Sequence, residues 1–118
     1  MKIQAFSKQT GLSVDTLRYY EKEGLLQPER DSNGYRCYTE RDAEWVAFIV
    51  RLKETNMPLA QIKNYARLRH MGDKTMAERY QILLEHQQYL AKLQTQLAAH
   101  QEYLTNKLKI YQGMMDKK

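Results

Sequence analysis

Ser13-Val14-Asp15-Thr16-Leu17-Arg18-Tyr19-Tyr20-Glu21-Lys22-Glu23-Gly24 decides how this chain is read. Ser13 offers a hydroxyl to cap a helix, and Asp15 puts a carboxylate in the first turn, where it complements the helix dipole. Val14, Leu17 and Tyr20 follow on one face at helical spacing, and Gly24 supplies the stop. Upstream, Ile3, Ala5, Phe6 and Leu12 predict the buried side of a shorter helix, with Gly11 in the turn between the two. Two short helices joined through a glycine form a helix-turn-helix.

After Leu25-Leu26 the pattern changes. Pro28 and a polar run lead to Asn33-Gly34, the pair that best fits a type I′ hairpin turn because both central residues there need positive φ. Tyr35, Cys37 and Tyr38 around Arg36 are strand-favouring, so a small two-stranded wing is expected. Thr39 with Asp42 resembles a capping box opening a third helix. Trp45, Phe48, Ile49 and Leu52 follow as its core face. Pro58 fits the first turn of a fourth helix, which Leu59, Ile62, Tyr65, Ala66 and Leu68-Arg69 continue and Gly72-Asp73 closes.

From Thr75 to Gln112 there is neither glycine nor proline. Met76, Leu83, Leu90, Leu97, Leu104 and Tyr111 recur every seventh residue, the mark of one long coiled-coil helix, roughly 57 Å long at the usual rise per residue. The companion positions Tyr80, Gln87, Gln94, Gln101, Leu108 and Met115 are polar in the middle, which favours a defined register over maximal stability. A second stripe, Ile82, Tyr89, Tyr103 and Ile110, lies beside the first. A helix this long cannot bury its stripe on a 70-residue domain, and the simplest partner is a second copy. Leu83, Leu90, Leu97, Leu104 and Tyr111 are therefore the expected dimerisation residues. The expected organisation is a winged helix-turn-helix over residues 1–72, a dimerisation helix over 75–112 and a tail over 113–118.

The 118-residue chain has a net charge of +5, with 12 basic and 9 acidic side chains in residues 1–70 and 7 and 5 in the rest. That balance suits a polyanionic partner without identifying one. The one cysteine, Cys37, excludes an internal disulfide and a cysteine-rich zinc site, and points to a reducing compartment. No signal peptide or membrane span is legible, so a cytoplasmic protein is expected. No nucleophile–base pair, carboxylate pair, metal-ligand set or phosphate loop suggests an enzyme. No cofactor is expected.

The functional signal lies in residues 13–38. Thr16, Arg18, Tyr19 and Lys22 stand among the apolar positions of the second helix, and Tyr35, Arg36 and Tyr38 follow in the wing. Arginine and lysine neutralise phosphates, tyrosine hydroxyls position the duplex, and an arginine entering a groove can read guanine with two hydrogen bonds. These seven residues are the expected contacts to double-stranded DNA, with Tyr20 structural. Two other readings stay open: a coiled-coil adaptor whose small domain binds protein, and an architectural or recombination-type DNA binder.

The run Leu17-Arg18-Tyr19-Tyr20-Glu21-Lys22-Glu23-Gly24-Leu25-Leu26 resembles the recognition-helix signature of the MerR family. Asn33-Gly34-Tyr35-Arg36-Cys37-Tyr38 resembles its wing, and Phe6-Ser7-Lys8-Gln9-Thr10-Gly11-Leu12-Ser13 its opening helix and turn. The resemblance implies a mainly α fold whose long C-terminal helix forms an antiparallel dimeric coiled coil. It implies a homodimer on a near-palindromic operator between promoter elements set too far apart. The activated dimer bends and untwists that DNA so that RNA polymerase engages both elements. Metal-responsive members carry cysteines near the dimerisation helix. Residues 75–118 have none, and His70, His86 and His100 form no clear ligand set, so no metal site is expected. The short form is most similar to the branch responding to reactive aldehydes or nitrosative stress. Arg51 stands where that branch places a cysteine in the third helix. Cys37 is either a substitute thiol, activated by the cationic Arg36 beside it, or an ordinary small residue of the wing. The small-molecule inducer implied by the family is not identified by the sequence.

Overall fold

The computed structural model describes residues 1–117. It contains α1 (Ile3–Thr10), α2 (Val14–Lys22), β1 (Glu29–Arg30), β2 (Arg36–Cys37), α3 (Glu40–Glu54), α4 (Leu59–His70), a 3-10 turn (Asp73–Thr75) and α5 (Met76–Asp116). The chain divides into two compact units, Met1–Ile82 and the stretch from Leu83 onward.

The helix ends follow local chemistry. Ser13 caps α2, its Oγ accepting the Thr16 N–H at 3.1 Å. Thr39 and Asp42 complete a reciprocal capping box on α3: Thr39 Oγ1 accepts from the Asp42 N–H at 3.2 Å, and an Asp42 carboxylate oxygen from the Thr39 N–H at 3.0 Å. At the end of α2, Gly24 takes φ 76°. The Leu25 N–H donates back to the Tyr20 carbonyl at 2.8 Å and the Gly24 N–H to Glu21 at 3.1 Å, a Schellman stop that turns Leu25 into the core. Asn56, with φ 68°, does the same for α3, and Met57 N–H reaches the Leu52 carbonyl at 3.0 Å.

In the first unit α1 packs on α2 and α3, and α3 on α4. Phe6, Leu17, Tyr20, Leu25, Leu26, Trp45, Ile49 and Ile62 are buried at the centre. Phe6 alone of α1 is buried, whereas Ile3 and Leu12 are half-buried and Ala5 is exposed, contrary to the expected face. At about 100° per residue, Ala5 lies a quarter-turn or more from the side that Ile3 and Phe6 share, and Leu12 falls beyond the helix. Pro58 stands at the N-cap of α4, one position outside the helix, and Leu59 is exposed. Thr75 lies in the 3-10 turn, buried, its hydroxyl donating to the Leu68 carbonyl at 2.6 Å.

The wing is an antiparallel pair, Glu29 opposite Cys37 and Arg30 opposite Arg36. Its turn differs from the expected type I′. Gly34 has φ 83°, but Asn33 is not in the left-handed region. The Gly34 N–H donates to the Asp31 carbonyl at 3.0 Å, and the Asp31 N–H to Tyr35 at 2.8 Å, which is a type I turn closed by a left-handed glycine. Asp31 Oδ1 causes the difference. It accepts both the Asn33 and Tyr35 N–H groups, at 2.9 and 3.0 Å, and holds the turn in the right-handed conformation.

The long helix is one uninterrupted element of 41 residues. It extends through Gly113 to Asp116, so residues expected to be a tail are helical as far as Asp116. A single glycine near a helix end costs only about 1 kcal/mol, and Met114 and Met115 are good helix formers. Within the second unit Leu97, Leu104, Leu108 and Tyr111 are all more than half exposed, whereas Leu83 and Leu90 are half-buried. No helix among the described residues is long and apolar enough to cross a membrane.

Candidate nucleic-acid interface

Helical spacing sorts the side chains of α2 into two faces. Leu17 and Tyr20, three apart, point into the core, while Arg18 and Lys22, four apart, share the exposed side with Tyr19. Thr16 is half-buried at the N-terminus, its Oγ1 accepting from Ser13 Oγ at 2.9 Å. The wing brings Arg36 to this surface from fourteen or more residues away. Arg18, Lys22 and Arg36 line one recess of about 430 Å³ with Ile3 and Glu21.

An ion pair fastens the wing to the helix. Arg36 Nε donates to Glu21 Oε1 at 2.6 Å. The hydrogen bond and the charge of Glu21 raise the Arg36 pKa further above its ordinary value. Both groups are solvated, so the pair orients more than it stabilises. It leaves Arg18 and Lys22 as cations of the recess without an ion-pair partner among the described residues. Tyr35 extends the surface at the wing, 62% exposed, with Lys2 Nζ 4.8 Å from its ring centroid.

Tyr38 departs from the expectation. Its ring is 2% exposed and stacks on Phe6 at 4.5 Å between centroids. Burial raises its phenol pKa, with the Glu21 carboxylate as the next contribution. The Tyr38 N–H also donates to the Met1 carbonyl at 2.8 Å. Tyr38 is thus a core residue that anchors the base of the wing. Cys37, half-buried, has the N-terminal ammonium 3.8 Å from its Sγ. Arg36, read from sequence as the cation beside that thiol, has its guanidinium turned to Glu21. Among the described residues no three His, Cys, Asp or Glu side chains gather to hold a metal ion.

Three basic residues escaped the sequence reading. Lys2 lies over Tyr35. Lys53 Nζ stands 5.3 Å from the Tyr20 ring centroid. Lys63 pairs with Glu23, which lowers the Glu23 pKa and raises that of Lys63, chiefly through their hydrogen bond. No periodicity links these positions to α2; only the packing does.

Behind this face of α2, the buried Trp45 and the half-buried His70 approach the helix's end. Trp45 Nε1 donates to the Leu25 carbonyl at 2.6 Å. Trp45→Phe keeps an aromatic ring but leaves that carbonyl unpaired, and should cost about 1–3 kcal/mol of stability. A urea midpoint equal to wild type would show the bond to be dispensable. His70 Nε2 is buried without a hydrogen-bond partner, and the imidazole lies close to the Gly24 backbone. Burial lowers the His70 pKa below 6.5, the Gly24 backbone opposes this, and the Arg69 charge adds to it. Below pH 6.5 the unfolded chain takes up a proton that the folded chain resists, so stability falls as pH drops from that value toward the folded pKa. His70→Phe should flatten this acid-side decline in urea titrations; an unchanged slope would remove His70 as its source.

The family model described as MerR HTH family regulatory protein matches residues 1–68, and the one described as MerR, DNA binding matches residues 43–106. An uncharacterised HTH-type transcriptional regulator of Haemophilus influenzae is 39% identical over 108 residues, covering 90% of this chain and 79% of that protein. The HTH-type transcriptional regulator AdhR of Bacillus subtilis is 37% identical over 91 residues, 76% of this chain and 65% of AdhR. Among solved structures, HiNmlR, a MerR family regulator lacking the sensor domain and bound to promoter DNA, superposes with a TM-score of 0.81. It is 33% identical, with 94% of this chain and 89% of that one covered. A MerR family protein of Listeria monocytogenes gives a TM-score of 0.84 at 25% identity, over 94% of this chain and 85% of that one. The chain belongs to the MerR family of helix-turn-helix regulatory proteins.

Proposed function

We propose that the chain regulates transcription as a homodimer that binds a near-palindromic promoter operator and distorts it. The observation that carries this reading is the exposed Arg18–Tyr19–Lys22 face of α2, continued by a wing that Arg36 and Glu21 lock beside it. HiNmlR, which shares this fold, is bound to promoter DNA.

In this reading α2 enters the major groove. Arg18 reaches phosphate or a guanine edge, Tyr19 and Thr16 help to set the register, and Lys22 and the wing's Tyr35 and Arg36 grip the flanking backbone. Lys2 and Lys53 add charge at the rim. The apolar face of α5 supports the dimer. Leu97, Leu104, Leu108 and Tyr111 all lie exposed along it, the kind of apolar surface that marks an interaction site. A two-fold dimer reads two half-sites whose spacing its own geometry sets. Bending the intervening DNA brings promoter elements into the alignment that RNA polymerase needs, under the control of an inducer that this surface does not identify.

Hydroxyl-radical footprinting on the bound promoter tests the symmetry. The expected pattern is two related protected segments flanking a hyperreactive, distorted centre. One protected segment without a symmetric mate would contradict the dimeric reading.

A further inference from the structure

Arg41 at the start of α3, Arg69 near the end of α4 and Arg79 in the first turns of α5 line a separate recess of about 280 Å³. Its aromatic wall is Trp45, with Tyr65 stacked on it at 5.9 Å. Two of the three cations are pre-positioned. The Arg69 guanidinium lies 4.1 Å from the Trp45 ring centroid. Arg79 Nε donates to the oxygen of the buried Thr75 at 3.1 Å. Neither contact neutralises charge. The ion pairs of this unit, Arg36–Glu21 and Lys63–Glu23, lie elsewhere, so among the described residues none of the three arginines is ion-paired. Glu44 is the one acid lining the recess among the described residues.

We propose that this recess binds a phosphate-type oxyanion, held by the guanidiniums of Arg41, Arg69 and Arg79 against the Trp45 wall. Three like charges that meet in one hollow repel, and a polyanion is what removes the repulsion. Guanidinium forks match phosphate oxygens with paired hydrogen bonds. The Arg69 pKa is lowered, by burial first and the Arg41 charge second, with the Asp42 carboxylate opposing and the Arg79 charge adding a smaller push. An anion here would tie α3, α4 and the start of α5 together, at the point where the DNA-binding unit passes into the long helix. The inference goes beyond DNA recognition, and its small-anion form holds whether or not the chain is a regulator.

Trp45 is the only tryptophan, so its fluorescence reads this recess directly. The full chain is titrated with inorganic pyrophosphate at ionic strength matched by sodium chloride. The expected result is a saturable change with a millimolar or lower midpoint. Arg41→Gln, at an exposed position that leaves the core intact by circular dichroism, should weaken it at least tenfold. The same chemistry can come from a duplex phosphodiester. In that case pyrophosphate gives a flat titration, but Arg41→Gln lowers the slope of log affinity for DNA against log salt by about one. A fluorescence change that sodium chloride reproduces, or a flat titration together with an unchanged salt slope, would overturn the proposal.

Discussion

Arg18→Ala lowers operator affinity by about 1–3 kcal/mol, roughly tenfold to more than a hundredfold, while the dimer persists. The side chain is exposed beside Lys22 and Arg36 and has no ion-pair partner of its own among the described residues. In the proposed reading its loss removes a DNA contact, and with no ion-pair partner to strand it should leave the fold balanced. Leu17 and Tyr20, which anchor the same helix, point the other way and are untouched. The two roles expected of Arg18 separate in the data. A phosphate contact lowers affinity for all sequences and reduces the salt slope by about one, whereas a guanine contact relaxes preference at one base pair. Anisotropy against operator and scrambled duplexes distinguishes them, and unchanged affinity for both would take Arg18 out of the interface.

The second large effect is on assembly. Leu97→Asp combined with Leu104→Asp should give monomers by sedimentation and weaken operator binding by about 10²–10⁴, the factor usually lost when two linked half-site contacts become one. Both leucines are about 60% exposed in the single chain. Their replacement therefore leaves the first unit's core alone, and its urea midpoint should stay near wild type. Two carboxylates facing a partner's apolar stripe have no counter-charge there and oppose association. A doubly substituted protein that still sediments as a dimer would refute the seven-residue seam as the interface.

Features governed by neighbours in sequence were legible before the fold. Ser13, Thr39 with Asp42, and Gly24 announce helix ends because a cap involves residues within a turn of one another. The heptad was legible for the same reason, since repetition needs no knowledge of tertiary contacts. The wing turn shows where this stops. Asn33-Gly34 alone argues for type I′, but Asp31, two positions earlier, captures two backbone N–H groups and selects another turn. Tyr38 shows it over distance. In its own segment it alternates like a surface strand residue, and only Phe6, 32 residues upstream, makes it core.

Much of the candidate surface was accessible from α2 alone, where spacing puts Arg18 and Lys22 on the face opposite Leu17. The remainder depends on packing. Arg36 joins the site by way of Glu21, Lys2 by way of Tyr35, and Lys53 by way of Tyr20. The bond from Trp45 to the Leu25 carbonyl, which fixes the chain's exit from α2, could not be inferred from either residue's surroundings in sequence. The arginine recess likewise gathers the ends of three helices that share no motif.

Binding of the purified chain to the DNA flanking its own gene decides whether it is a sequence-specific regulator. It is measured by fluorescence anisotropy at two salt concentrations with excess non-specific competitor. Tight binding that weakens steeply with salt yet survives the competitor is the expected result. Binding that the competitor abolishes at every flanking segment would contradict a sequence-specific regulator of that promoter.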